Sequence, residues 1–85
     1  MNEMELKDTL LQILSELAPD ADVTLLDWDE RVRDQLDIDS MDFLNFLIAV
    51  DEQVGVDIPE RDYGKLRTLN DCLRYLQERL SAPAP

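Results

Sequence analysis

The chain contains no histidine, so it lacks both the usual general base at neutral pH and the commonest metal ligand. Its single cysteine, Cys72, excludes an intrachain disulfide and a multi-thiolate zinc site. Basic residues are scarce: 8 Lys and Arg stand against 20 Asp and Glu, a net charge of −12. Such a surface repels phosphate backbones and anionic membranes, and it suits basic proteins as partners. No apolar run approaches the roughly 20 residues of a membrane span. The opening Met1-Asn2-Glu3-Met4-Glu5 lacks the basic-then-apolar layout of a signal peptide. These absences predict a cytoplasmic protein with no side-chain catalysis, no dedicated metal site, no nucleic-acid partner and no membrane insertion.

What is present suits one small domain. The chain has 85 residues, 45% of them hydrophobic, enough for a single compact core. Leu6, Leu10, Ile13, Leu14 and Leu17 share one face of a helix over Glu3–Leu17, which Ala18-Pro19-Asp20 stops. A long connection follows, from Asp20 to Asp39. Its apolar pins are Leu25, Leu26, Trp28, Val32, Leu36 and Ile38, and a short helical turn is expected near Glu30–Gln35. A second long helix is expected over Ser40–Val54, apolar on more than one stripe, with Gly55 as its C-terminal cap. Pro59 opens a short helix over Glu60–Tyr63 or slightly beyond. Thr68 and Asp71 form a capping pair for the last helix, whose Leu69, Cys72, Leu73, Leu76 and Leu80 repeat at helical spacing. The expected fold is all-α: a small antiparallel bundle of three main helices plus one short helix, with a long first crossover. Residues 1–80 form the domain, and 81–85 are expected to be a disordered tail.

The charge is unevenly placed. Residues 1–33 carry net −6, residues 34–62 net −8 and residues 63–85 net +2. Asp34, Asp37, Asp39 and Asp42 crowd the start of the Ser40–Val54 helix, and Asp51 and Glu52 lie near its end. A solvated face would account for this, as would a docking surface for basic partners. The interleaved apolar residues favour the second reading.

Ser40 stands at the start of that helix within Gln35-Leu36-Asp37-Ile38-Asp39-Ser40-Met41-Asp42. A helix N-terminus offers unpaired amides and partial positive charge, which would stabilise a phosphate esterified to this serine by roughly 0.3–1 kcal/mol. Ser40 could equally be a capping serine, or sit one residue inside a cap formed by Asp39.

Leu36-Asp37-Ile38-Asp39-Ser40-Met41-Asp42, the apolar helix after it, Val56-Asp57-Ile58-Pro59 and Thr68-Leu69 together resemble an acyl carrier protein, in one register from about Met4 to Leu80. The resemblance implies a non-catalytic carrier. A phosphopantetheinyl transferase would attach phosphopantetheine from coenzyme A covalently to Ser40, with Asp39 and Met41 as its neighbours. The arm would hold an acyl group as a thioester for synthases, loading ligases or transferases with basic docking surfaces, in fatty acid, polyketide or related biosynthesis. It also implies that Asp39, Met41, Asp42, Ile48, Asp51, Glu52 and Ile58 meet partners. Phe46, Val50, Tyr63, Leu66 and Cys72 would border an acyl pocket. The protein is expected to act as a freestanding monomer.

Some residues depart from the family pattern. Asp37 stands where a glycine is usual, Asn45 where an acid is usual, and Met41 where leucine is more frequent. Tyr63 should crowd the pocket, so a short or polar cargo is expected, or one that stays outside the bundle. Cys72 is read as a buried apolar residue. Aminoacyl or peptidyl carriers share the pattern, and an acidic helical interaction module would share the charge without needing Ser40. A calcium loop starting at Asp37 fails, because Met41, Asp42 and Ile48 occupy its required oxygen, glycine and glutamate positions.

Overall fold

The computed structural model describes residues 2–81. Four helices appear in it: α1 (Glu3–Leu17), α2 (Val32–Gln35), α3 (Ser40–Val54) and α4 (Leu69–Ser81). Two 3-10 segments, Val23–Leu25 and Glu60–Lys65, interrupt the connections. The three long helices and the short turn over 32–35 fall where the hydrophobic spacing predicts them. The segment after Pro59 is a 3-10 helix rather than an α-helix, and it extends to Lys65. The tail expected over 81–85 lies outside the described residues except for Ser81, which is the last residue of α4.

Each long helix starts on a side-chain cap that answers its unpaired amides. Asn2 caps α1: its side chain accepts from the Glu5 amide at 2.8 Å, and the Glu5 carboxylate accepts from the Asn2 amide at 3.3 Å. Thr68 and Asp71 form the same reciprocal pair at α4, at 2.9 and 3.2 Å. α3 ends on Gly55, whose φ of 76° is the left-handed conformation that costs glycine little.

One apolar core joins the helices, with α1 packed against α3 and α4. Leu6, Leu10, Ile13 and Leu14 from α1 meet Phe46, Leu47 and Val50 from α3 and Leu69, Cys72, Leu73 and Leu76 from α4. Leu17 packs at the margin of that core. Leu80 stays exposed, so the α4 stripe ends one turn early. The long crossover is ordered by packing and by one glutamine. Val23, Val32 and Leu36 are buried, while Leu26, Trp28 and Ile38 pack at the edge. The Gln35 side chain accepts from the Asp27 amide at 2.7 Å and donates to the Asp27 carbonyl at 2.8 Å. Leu25 was expected among the pins, but it points outward at 81% exposure.

Three tertiary links tie the later segments together. The Val32 amide donates to the Arg67 carbonyl at 3.0 Å, within an isolated antiparallel bridge between Arg31 and Thr68. The Asn70 amide reaches the Trp28 carbonyl at 3.0 Å. The third link is Asp62, a buried carboxylate in the 3-10 segment that accepts from the Tyr75 hydroxyl at 2.7 Å and Arg79 Nη2 at 3.1 Å, both on α4. Lys65 Nζ lies 3.4 Å from its other oxygen. The Tyr75 hydrogen bond, joined by Lys65 and opposed by burial, holds the Asp62 carboxyl below the usual carboxylate range. Burial and the same hydrogen bond raise the Tyr75 hydroxyl above its ordinary value.

Candidate functional site

Ser40 occupies the first turn of a 15-residue helix but does not cap it. The cap is Asp39: its side chain accepts from the Asp42 amide at 2.8 Å, and its carbonyl accepts from the Phe43 amide at 3.1 Å. The Ser40 hydroxyl is therefore released from the usual work of a serine at this place. It is exposed and makes no hydrogen bond among the described residues. Of the two readings left open by the spacing, the second describes the helix start. The turn leading in also works without glycine at position 37, since no non-glycine residue among those described has a positive φ.

The α3 helix divides its faces clearly. Phe46, Leu47 and Val50 face the core, Phe43 and Ala49 pack at its edges, and Leu44 is half-buried. Met41, Asn45, Ile48 and Glu52 are all exposed. Their i, i+4, i+7, i+11 spacing forms one outward stripe starting beside Ser40. Met41 is 60% and Ile48 41% exposed, so the stripe carries two large apolar side chains within an acidic setting. Asp39 and Asp42 stand at its upper end.

Two of the expected contact residues are used otherwise. Ile58 is buried in the core at 5% exposure, so it does not belong to an exposed rim. Apolar packing of the extended Val56–Ile58 segment against the bundle draws it inward. The Asp51 carboxylate accepts from the Ile58 amide at 2.9 Å and pins that segment to α3. Glu52, by contrast, is exposed and free of ion pairs among the described residues.

The space beside Ser40 is a cleft of about 300 Å³, bordered by Ser40, Met41, Phe43, Leu44, Leu47, Tyr63 and Arg33. Its lining is largely apolar. A neighbouring cleft of about 450 Å³ shares Arg33, Phe43 and Tyr63 with it, and adds Arg31, Asp34, Gly64 and Arg67. The expected acyl-pocket residues are distributed differently. Tyr63 borders both clefts, but Phe46, Val50 and Cys72 are packed into the core and line neither. Leu66 is buried and borders a separate shallow depression near Arg74. The space next to Ser40 is bounded instead by Phe43, Leu44 and the core residue Leu47. Burial, reinforced by the nearby Asp71 charge, pushes the Cys72 thiol up to about 12, so it is an inert packing group.

Among the participants the sequence pattern missed are Phe43, Arg31, Arg33 and Arg67. Phe43 reads as one more apolar helix residue, yet it walls both clefts and lies 5.8 Å from the Phe46 ring centre. Arg31 and Arg67 are 36 positions apart, and only the Arg31–Thr68 bridge brings them to one cleft. No local signal could have paired them. Among the described residues no group of three acidic or cysteine side chains is arranged to hold a metal ion, and no helix is long and apolar enough to cross a membrane.

Comparison with known proteins addresses the same segment. The family model described as a phosphopantetheine attachment site matches residues 8–76. An acyl carrier protein of Thermobifida fusca is 34% identical over 79 residues, covering 91% of this chain and 96% of the relative. One from Rickettsia massiliae is 32% identical over 60 residues, covering 71% of this chain and 70% of the relative. Among solved structures, an acyl carrier protein from Enterococcus faecalis superimposes with a TM-score of 0.78 at 20% identity, covering 93% and 99% of the two chains. That last likeness concerns the fold alone.

Proposed function

Since this chain belongs to the acyl carrier protein family, whose members are carriers rather than catalysts, we propose that Ser40 is the residue that receives phosphopantetheine and that the protein presents acyl intermediates to partner enzymes. The carrying observation is the state of Ser40: exposed, not used as a cap, in the first turn of α3 and beside an apolar cleft. A residue with those four properties fits a bulky phosphodiester without disturbing the core. The Ser40 and Met41 amides are unpaired among the described residues, and the helix dipole there favours an added anion. The arm's terminal thiol would supply the chemistry, holding cargo as a thioester.

The chain's own residues divide the remaining work. Asp39 holds the backbone of the helix start, which fixes where the Ser40 side chain leaves the helix. Asp39, Asp42 and Glu52 steer basic partner surfaces towards α3, and Met41 and Ile48 add small apolar contacts that release readily. The first partner is a phosphopantetheinyl transferase. Others are loading ligases, transferases and synthases of fatty acid, polyketide or related biosynthesis, met by a monomeric carrier.

Incubation with coenzyme A and a broad transferase tests this by intact mass. The wild-type chain should gain one phosphopantetheine and Ser40→Ala none. Wild-type protein left unmodified, or Ser40→Ala still modified, would overturn the assignment.

A further inference from the structure

The arginine-lined cleft next to the Ser40 cleft carries a second inference, which rests on Ser40 being the attachment residue. We propose that Arg31, Arg33 and Arg67 form a subsite for the carboxylate end of the cargo, so that this carrier is built for acyl groups terminating in a negative charge.

Charge placement is the first argument. The chain carries net −12 and only six arginines, yet three of them line this one cleft against a single acid, Asp34. Solvation or fold stability alone would place arginines beside the abundant carboxylates. Both ion pairs among the described residues instead belong to Asp62, and neither involves these three side chains. Arg67 Nε donates to the Gly64 carbonyl at 3.0 Å, which holds its stem and leaves its terminal nitrogens available. Arg31 and Arg33 donate no side-chain hydrogen bond among the described residues. A guanidinium fork matches a carboxylate in shape as well as sign.

The fold itself imposes this convergence. The Val32 amide to Arg67 carbonyl bond and the Arg31–Thr68 bridge lock the entry of α2 against the entry of α4. Arg31 and Arg67 are therefore held at one place by backbone pairing, not by a flexible surface encounter.

Continuity with the attachment point is the third argument. Arg33, Phe43 and Tyr63 border both clefts, so the space beside Ser40 adjoins the arginine-lined cleft along these three side chains. The rings suit a methylene segment, and the arginines suit what ends it. The arm's own phosphodiester is a competing anion, but it would sit at Ser40, where only Arg33 of the three is a neighbour. Arg31 and Arg67 line the farther cleft alone, which places the anion they serve towards the cargo end. Tyr63 stands at the boundary of the two clefts, in keeping with a short or polar cargo.

The test loads Ser40 from three coenzyme A derivatives: glutaryl, pentanoyl with the same carbon count, and the unacylated arm. Mass spectrometry verifies each product before any other measurement. The glutaryl form should melt at least about 4 °C above the pentanoyl form, the scale of one charge-assisted contact in a domain of this size. The gap should close in Arg31→Gln/Arg67→Gln and in high salt. Arginine side-chain resonances of Arg31 and Arg67 should move with glutaryl loading only. Equal melting of the two acyl forms, or a gap indifferent to the arginine changes, would overturn the subsite while leaving the carrier assignment intact. Resonance shifts already complete with the unacylated arm would assign the anion to the phosphodiester and also overturn it. Failure of Ser40 to load at all would be seen in the mass and would sink the carrier reading itself, and this subsite with it.

Discussion

Asp39 carries two separable duties, and one pair of substitutions distinguishes them. Its side-chain oxygen caps α3 through the Asp42 amide at 2.8 Å, and its charge lies at the positive end of the helix dipole. Losing a cap costs about 1 kcal/mol. In a domain of this size that lowers Tm by roughly 4–8 °C. The charge contributes about 0.3–1 kcal/mol through the dipole. Asp34, Asp37 and Asp42 crowd the same helix start in the sequence, and like-charge repulsion, about 0.2–0.5 kcal/mol per helical pair, opposes that gain. The net effect of the charge on stability is therefore close to zero. Asp39→Asn keeps the acceptor and should melt within about 2 °C of wild type, whereas Asp39→Ala should fall by the full cap penalty. Both should be modified more slowly by a basic transferase, and added salt should reduce that difference. Thermal denaturation followed by circular dichroism, beside an initial-rate modification assay, reads the two duties separately. An alanine variant that melts like wild type, or an asparagine variant as unstable as alanine, would refute this division of labour.

Gly55→Ala should cost about 1 kcal/mol or slightly more, read by urea unfolding, because φ at 76° penalises a Cβ. No atom beyond the adjoining residues lies within 4 Å of the added carbon, so the cost comes from the backbone and not from a clash. Asp62 gives a pH signature. Its folded pKa is held below the ordinary 3.8, chiefly by the Tyr75 hydroxyl, so its contribution is present above that value and lost as pH falls through the folded one. Tyr75→Phe should accordingly lower Tm by several degrees at neutral pH, with the deficit shrinking below about pH 4; a deficit constant from neutral to acid would contradict it. Cys72, its thiol pushed up to about 12 by burial, should resist iodoacetamide in the folded protein at pH 8 and react fully in urea. Rapid labelling of the native protein would show that α4 opens locally.

Much of the architecture was legible because helices announce themselves locally. The spacing of Leu6, Leu10, Ile13 and Leu14 requires only neighbours one or two turns away, and the Thr68–Asp71 cap spans four residues. The acidic, apolar-studded start of α3 was visible for the same reason, and so was Ser40. The spacing could not decide whether Ser40 or Asp39 caps, because both residues are good caps and one position of register separates them. The described α3 resolves this in favour of Asp39.

Composition, periodicity and capping chemistry determined on their own that there would be three long helices in this order, one core and a negatively charged central helix. These follow from interactions along the chain. Tertiary structure alone decided that Ile58 turns inward, that Asp51 holds the Ile58 amide and that Asp62 sits under Tyr75 and Arg79. It also gathered Arg31, Arg33 and Arg67 around one cleft. Each of those outcomes depends on how segments far apart in the chain cross one another. A residue's hydrophobicity or charge states what it can do, and only the packing of the bundle selects which neighbour it does it with.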